Sequence, residues 1–438
     1  MKQNMVASKS GFNDVKSRIL FVLFAIFVFR VGSHIPVPGI DYSKLSVIYA
    51  QTKTGLFGFI NVMSGGSLSR MSVFTLSLSP YISASIAMQF MSYVIPHLEQ
   101  LRKEGGRGKH KMTQYTRIFA LMIALIQSIP MTRMMISMGV VIDPSRLFYI
   151  VTAMTLATGT LFLLWLGEQI TERGIGNGIS VLIFAGISSR FPEGASQLYD
   201  MVASGEMNTI VFLLVIAAVI AITAGVVFFE KAQRQIKIMH PSRHQARSAS
   251  AHSIPLKLNM AGVIPPIFAT TLVFMPMSIL NMVYGSGQSP FVAAMMRALS
   301  PGQPLYIIAM ISAIAFFSFF YTAMVINPSE IADNLKRGGV IVPGIRPGAQ
   351  TASHIDSIIK RITLFGIIYL SFVILLPEVF VRLWQIPFYF GGTSLLIVVV
   401  VVVDFMSQLS AHLLPDKYAN LVDKPSKTGN KQNLQLFR

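Results

Sequence analysis

No cysteine occurs among the 438 residues. Disulfide frameworks, zinc fingers, thiolate catalysis and iron–sulfur clusters are therefore excluded. Charge is scarce too. Asp, Glu, Lys and Arg make up 12% of the chain, about half the share of an ordinary soluble domain. Such a composition cannot cover a water-facing surface, which argues against a soluble enzyme. Acids are the scarcest charge: 18 against 36 Lys plus Arg, a formal net charge of +18. There is no GxxxxGK[ST] phosphate loop, so ATP hydrolysis by that route is not expected. There is no HExxH. No apolar run carries the paired carboxylates of an aspartyl membrane protease or a proton-coupled pump. Asp404 is the one acid well inside such a run, and it reads as a helix-end carboxylate paired or capped near one membrane face. The eight histidines fall mostly in loops without ligand spacing. No cofactor or metal is implied.

What the chain does have is apolar length. Hydrophobic residues are 53% of it and mean hydropathy is +0.60. Charge-free runs cover 71–96, 147–167, 207–229, 258–296, 298–329 and 383–403. Each is long enough for a membrane helix, which needs ~20 residues to cross ~30 Å of hydrocarbon. Shorter runs lie at 19–29, 118–132, 174–189 and 362–377. Short spans are tolerable inside a bundle, where flanking Lys or Arg can snorkel. The expectation is an all-α polytopic membrane protein of ten spans. The N-terminus could pass for a signal peptide, but no small-residue cleavage site follows Phe29, and the segment reads as a retained first helix.

Ten spans place both termini on one side. That side also receives the basic loops 95–117, 230–257 and 327–361 and the tail, and so most of the Lys and Arg. The remaining cations are spread thinly on the other side. The positive-inside rule makes the basic side cytoplasmic. Five spans followed by five, with the loop 190–208 joining them outside, is the arithmetic of an inverted repeat. The expected division is 1–205, 206–415 and a polar tail 416–438. Segment 55–70 is apolar, short and rich in glycine, and reads either as a surface loop or as a short re-entrant helix filling a cavity. Gly174-Ile-Gly176-Asn-Gly178 has glycines like a nucleotide turn, but it follows a charged stretch and opens an apolar run, so it is not taken as one. The polarity concentrates at one surface, which fits docking of acidic or phosphate-bearing partners there.

Five collinear runs carry a family resemblance. They are Pro80-Tyr-Ile-Ser-Ala-Ser-Ile86, Gly167-Glu-Gln-Ile-Thr-Glu-Arg-Gly-Ile-Gly-Asn-Gly-Ile-Ser180, Asn259-Met-Ala-Gly-Val-Ile-Pro265, Val342-Pro-Gly-Ile-Arg-Pro-Gly348 and Pro387-Phe-Tyr-Phe-Gly-Gly-Thr-Ser-Leu-Leu-Ile397. Spread over the full chain, they resemble the SecY family, the large subunits of Sec protein-conducting channels. The resemblance implies two inverted five-helix halves around a central hourglass pore. It implies a waist ring of Leu78, Ile82, Ile179, Ile183, Ile267 and Ile397, of which Leu78/Ile82 and Ile179/Ile183 are i,i+4 pairs, each on one helix face. A narrow aliphatic ring blocks ions by dewetting and still deforms around a polypeptide.

The resemblance also implies a plug at about 57–70. Phe59, Ile60 and Met63 would pack beneath the ring, with Gly65 and Gly66 as hinge. It implies a lateral gate with Gln89 and Asn259 as a polar pair and Ser83, Thr271 and Phe274 beside them. Arg346, held between two Pro-Gly pairs, would dock the motor ATPase SecA or the ribosome, including its RNA phosphates. Arg234, Arg243 and Arg247 would add to that surface, although Arg234-Gln235 stands where the family often has two arginines. SecE and SecG subunits, signal sequences, translocating polypeptides and membrane lipids complete the implied partners. The implied function is translocation of unfolded secretory chains across the bacterial cytoplasmic membrane and sideways release of membrane helices, without covalent chemistry. The rival readings are an inverted-repeat secondary transporter, which needs polar ligands at the midplane, and an intramembrane hydrolase, for which no nucleophile–base pair is recognisable.

Overall fold

The computed structural model describes residues 2–41, 44–45, 61, 64–205, 207–239, 252–273, 294–295, 298–299, 303–384 and 392–422. Along the first half run α1 (Lys2–Gly32), α2 (Ser79–Val94), α3 (Pro96–Lys103), α4 (Gly106–Ser137), α5 (Arg146–Arg173), α6 (Gly178–Ser188) and α7 (Phe191–Ala203). The second half has α8 (Thr209–Lys231), the strands β1 (Gln233–Ile238) and β2 (His252–Lys257), and α9 (Ile264–Val273). It continues with α10 (Pro304–Val325), α11 (Pro328–Arg337), α12 (Ala349–Trp384) and α13 (Gly392–Val422).

Six stretches are long and apolar enough to cross a membrane, and they lie in α4, α5, α8, α10, α12 and α13. The other four expected spans fall on α1, α2, α6 and α9, so the ten-span, two-half expectation agrees with the fold. The 16 residues of α2 rise about 24 Å. Neighbouring helices shelter such short spans from lipid, so their ends need not reach both interfaces. Lipid exposure is plain on α8, where Ile210 and Phe228 are 70% and 72% exposed. Helix α1 buries Val22, Ala25 and Phe29 on one stripe, while Leu23, Phe24 and Phe27 face outward. A helix apolar all round is a membrane span rather than an amphipathic surface helix.

Several expected boundaries shift. The apolar run 71–96 becomes helical only at Ser79. Residues 64–78 are consecutive turns, with Met71 and Ser77 in the left-handed region at φ +44° and +50°. The 327–361 loop is largely helical, because Asn327 caps α11 and α12 starts at Ala349. The 190–208 connection contains α7. The 230–257 loop contains a β-hairpin, a small exception to the all-α reading, with β1 and β2 antiparallel and Gln233 opposite Lys257.

Helix α13 is the centre of the packing. It lies against α1 and α6 from the first half and against α8 and α12 from the second. Small residues let the first-half helices close on each other. The Gly174–Gly178 motif is the tight turn from α5 to α6: Asn177 caps α6 by accepting from the Ile179 N–H, and the Gly178 N–H donates to Thr171 Oγ1 at 2.9 Å. A Cβ at Gly178 would run into the Gly167 carbonyl. Arg117 and Glu168 tie α4 to α5 by a bidentate pair at 2.8 and 2.6 Å.

Gly178→Ala is expected to destabilise the protein by about 1–3 kcal/mol, the cost of forcing atoms into a packed site. Gly225→Ala is the control, because nothing lies within 4 Å of a Cβ added there. Thermal unfolding of the two purified variants makes the comparison, and an unchanged midpoint for Gly178→Ala contradicts the packing argument.

Candidate functional site

One apolar cluster runs through the middle of the bundle and draws on both halves. Leu78, Ile183, Ile267 and Ile397 are buried in it, and Ile82 and Ile179 are half-buried against it. Leu78 is the N-cap residue of α2, and Ile82 sits one turn on, its N–H donating to the Leu78 carbonyl at 3.0 Å. Ile179 and Ile183 are one turn apart on α6, Ile267 is in the first turn of α9, and Ile397 is on α13. Residues up to 319 positions apart in the chain, Leu78 and Ile397, therefore share one apolar cluster, and all six have aliphatic side chains. Such an arrangement excludes water and ions and makes no directional bond.

Beside the cluster sits the turn from Asn61 to Met71. Asn61 accepts from the Gly66 N–H through its carbonyl at 2.8 Å and from the Ser69 N–H through Oδ1 at 2.9 Å. Gly65 and Gly66 are left-handed, at φ +65° and +86°. A Cβ on Gly65 would come within 2.8 Å of the Gly186 Cα. Glycine is thus required here for left-handed backbone and for close approach to α6. Arg30 donates to the Gly65 carbonyl at 3.1 Å, and Arg190 to Ser69 Oγ at 3.1 Å. Phe59, Ile60 and Met63 lie outside the described residues.

The expected polar pair across the gate is not formed. Gln89 Nε2 donates to Ser85 Oγ at 3.3 Å on its own helix, and Gln89 Oε1 is buried without a partner. Asn259 instead donates to Glu230 Oε1 at 2.7 Å and brackets Gly262 with two 3.1 Å bonds. The physical reason is that a buried carboxylate is the stronger acceptor and needs the donor more. Asn259 therefore fixes the entry to α9 onto the end of α8. Ser83 Oγ is buried without a partner, and Thr271 Oγ1 bonds back to the Ile267 carbonyl at 2.8 Å. Phe274 lies outside the described residues.

Aromatic rings hold the α2–α10 seam instead. Phe90 stacks on Phe320 at 4.3 Å between centroids and also meets Phe316 and Phe317. Tyr93 adds an edge contact to Phe320, and the Arg102 guanidinium lies 4.4 Å over the Tyr93 ring. The helical spacing of Phe316 and Phe320 was readable in the sequence, but their partners on α2 were not.

On the basic face the two large loops form one platform. Ile236 and Leu256 of the hairpin pack with Val342, Ile355, Ile359 and Ile362. Met239 and Ile341 exchange backbone bonds of 2.9 Å each way. Val342 to Ile345 form a turn closed by an N–H to carbonyl bond of 3.2 Å, with Pro343 second and Gly344 third at φ +80°. That is the residue order of a type II turn. The next residue, Arg346, is exposed, and its carbonyl accepts from Thr351 Oγ1 at 2.9 Å. Arg234 is exposed on β1, and Arg243 and Arg247 lie outside the described residues. Asp404 finds a partner in Lys257, 3.5 Å away, but it lies in the middle of α13 rather than at a helix end, because the helix continues past the apolar run to Val422.

This is a polytopic helical membrane architecture, with one apolar cluster shared by two halves. The SecY family model matches residues 72–406. The protein translocase subunit SecY of Escherichia coli strain K12 is 46% identical over 430 residues, covering 97% of each chain. That of Vibrio cholerae is 45% identical over 436 residues, covering 98% of each. Among solved structures, one titled as a protein conducting channel matches with TM-score 0.67 and 18% identity, covering 94% of this chain and 95% of its own. Sec61 in a canine ribosome-channel complex matches with TM-score 0.65 and 18% identity over the same shares. The chain belongs to the SecY family. Its function is that of a protein-translocating channel subunit, not of an enzyme.

Asn259→Ala strips the buried Glu230 carboxylate of its 2.7 Å donor, and an expected loss of about 1–3 kcal/mol follows. Gln89→Ala is expected to be near neutral, since Gln89 Oε1 already lacks a partner. Thermal unfolding of both variants tests the assignment, and equal effects would show that Asn259 does not hold Glu230.

Proposed function

We propose that the six aliphatic residues Leu78, Ile82, Ile179, Ile183, Ile267 and Ile397 are the pore ring through which an unfolded polypeptide passes. Their convergence from α2, α6, α9 and α13 into one apolar cluster carries this reading. A transporter site would need polar ligands at this level, and none of the six residues supplies one. The turn at Asn61–Met71, with Gly65 and Gly66, belongs to a plug at about 57–70 that also takes in Phe59, Ile60 and Met63. The lateral gate is formed by spans two, three, seven and eight (α2, α4, α9 and α10), with Ser83 and Gln89 from α2 and Asn259, Thr271 and Phe274 from the α9 segment as its residues. A signal sequence, being an apolar helix, parts this seam and partitions into lipid by its own hydrophobicity.

The platform carrying Arg234 and Arg346, extended by Arg243 and Arg247, docks SecA or the ribosome. An exposed arginine on a rigid turn suits RNA phosphate or an acidic patch. Ribosome-bound relatives of this fold support the second partner. SecE clamps the halves 1–205 and 206–415, and SecG is peripheral. The basic face and both termini, with the tail 416–438, lie in the cytoplasm of a bacterium and the channel in its inner membrane, as the positive-inside rule requires.

Photoreactive probes at Ile82, Ile183, Ile267 and Ile397 test the ring in membranes holding an arrested secretory chain. All four are expected to crosslink to the same stretch of that chain. If none does while a small solute protects the same positions, the waist is a substrate pocket. Deleting 57–70 is expected to raise ion leak more than it lowers export, because the ring remains; vesicle ion flux and export assays on the same variant measure both.

A further inference from the structure

Three arginines come together where α1 and α6 end. Arg30 is in the last turn of α1, Arg190 follows α6 as the N-cap residue of α7, and Arg70 lies in the turn region between α1 and α2. They are distant in sequence and were read as scattered charges. In the fold, Arg30 feels the positive charge of both others. Arg30 Nη1 donates to the Gly65 carbonyl at 3.1 Å and to Ser189 Oγ at 2.9 Å. Arg190 Nη2 donates to Ser69 Oγ at 3.1 Å, and Nη1 is paired with Glu193. Gly66 packs on the Arg190 guanidinium, so a side chain there would have to push the arginine aside, and its φ of +86° favours glycine.

The charges do not balance. Among the described residues, Glu193 is the one carboxylate paired with any of the three. The turn region 64–72 brings Arg70 and no acid. Nor are the donors used up. Arg190 has a side chain only 9% exposed, yet its Nε is buried without a partner, as is Nη1 of Arg70. A buried guanidinium with an unpaired N–H is costly unless a counter-ion takes it. Guanidinium edges present fixed N–H forks that match the oxygens of phosphate. The cluster lies where α1 and α6 end, beside the turns at 64–72.

We propose that Arg70 and Arg190, backed by Arg30, form a binding site for a phosphate oxyanion, supplied by a phospholipid headgroup or by free phosphate. The bound anion cancels the repulsion among the arginines. Since Arg30 and Arg190 also hold the Gly65–Ser69 turn, occupancy tightens that turn against α1 and α6. The site stands on the arginine geometry alone, so a failure of the pore-ring crosslinks leaves it intact.

The test uses the full-length protein in its native membrane assembly, delipidated in chloride buffer. Inorganic phosphate is expected to raise the thermal midpoint saturably, beyond chloride at equal ionic strength. Arg70→Gln is expected to weaken the apparent phosphate affinity at least tenfold, and Arg70→Lys to restore part of it. Native mass spectrometry from phosphatidylglycerol nanodiscs separates the sources. A tightly held phospholipid, present in the wild type and lost in Arg70→Gln, assigns the site to a headgroup, whereas a phosphate response without a retained lipid assigns it to free phosphate. If the wild type neither responds to phosphate nor retains a lipid, the proposal is overturned. It is overturned equally if wild type and Arg70→Gln behave alike in both measurements. Should Arg70→Gln fail to fold, the wild-type comparison of phosphate with chloride and the Arg70→Lys variant still decide.

Discussion

Aliphatic side chains from both halves of the chain pack into one cluster through the middle of the bundle, and nothing directional joins them. This contact is what the rest of the structure serves. Hydrophobic and dispersion contacts depend on area and proximity rather than on angle. A seal built from them excludes water when closed, can deform without breaking bonds, and reforms afterwards. A hydrogen-bonded closure at the same place would leave buried donors and acceptors unpaired each time it opened. The absence of polar side chains among the six residues is thus a mechanical property as much as an electrostatic one.

The two halves meet unequally around that contact. On one side α13 reaches across to α1 and α6, continuing the packing it makes with α8 and α12. On the other, α2 faces α10 through phenylalanine and tyrosine rings, chiefly Phe90 on Phe316 and Phe320. Rings can slide and restack at modest cost, and an apolar helix arriving from outside can replace each contact with an equivalent one. The packing is therefore asymmetric, with helix on helix at one side and ring on ring at the other.

Polar interactions are placed at the margins, where they position helix ends. Arg117 with Glu168 ties α4 to α5, Asn259 with Glu230 fixes the start of α9 to the end of α8, and Arg30 with Arg190 holds the Gly65–Ser69 turn. Each pairs a charged group with a partner on another element. Losing one partner strands the other in a low-dielectric setting, so these bonds specify where elements sit more than they add stability.

The sequence by itself determined the class of structure. Apolar runs longer than a soluble protein tolerates dictate membrane helices, because unpaired backbone cannot exist in hydrocarbon. The Pro343-Gly344 order dictates a type II turn beneath Arg346, because proline sets one torsion and only glycine readily takes the next. The family motifs picked out six aliphatic residues that the fold places in one apolar cluster. These are local signals, or patterns repeated over a few turns of helix. The tertiary structure alone decided which distant residues become neighbours. It paired Asn259 with Glu230 rather than with Gln89, because a buried carboxylate outcompetes an amide for a donor. It joined two basic loops into one platform through Ile236, Val342 and Ile359. It gathered Arg30, Arg70 and Arg190 from positions up to 160 apart into one charged corner. Hydrophobicity reads out element by element, whereas the partner of a polar side chain is set by which helix ends the packing brings together.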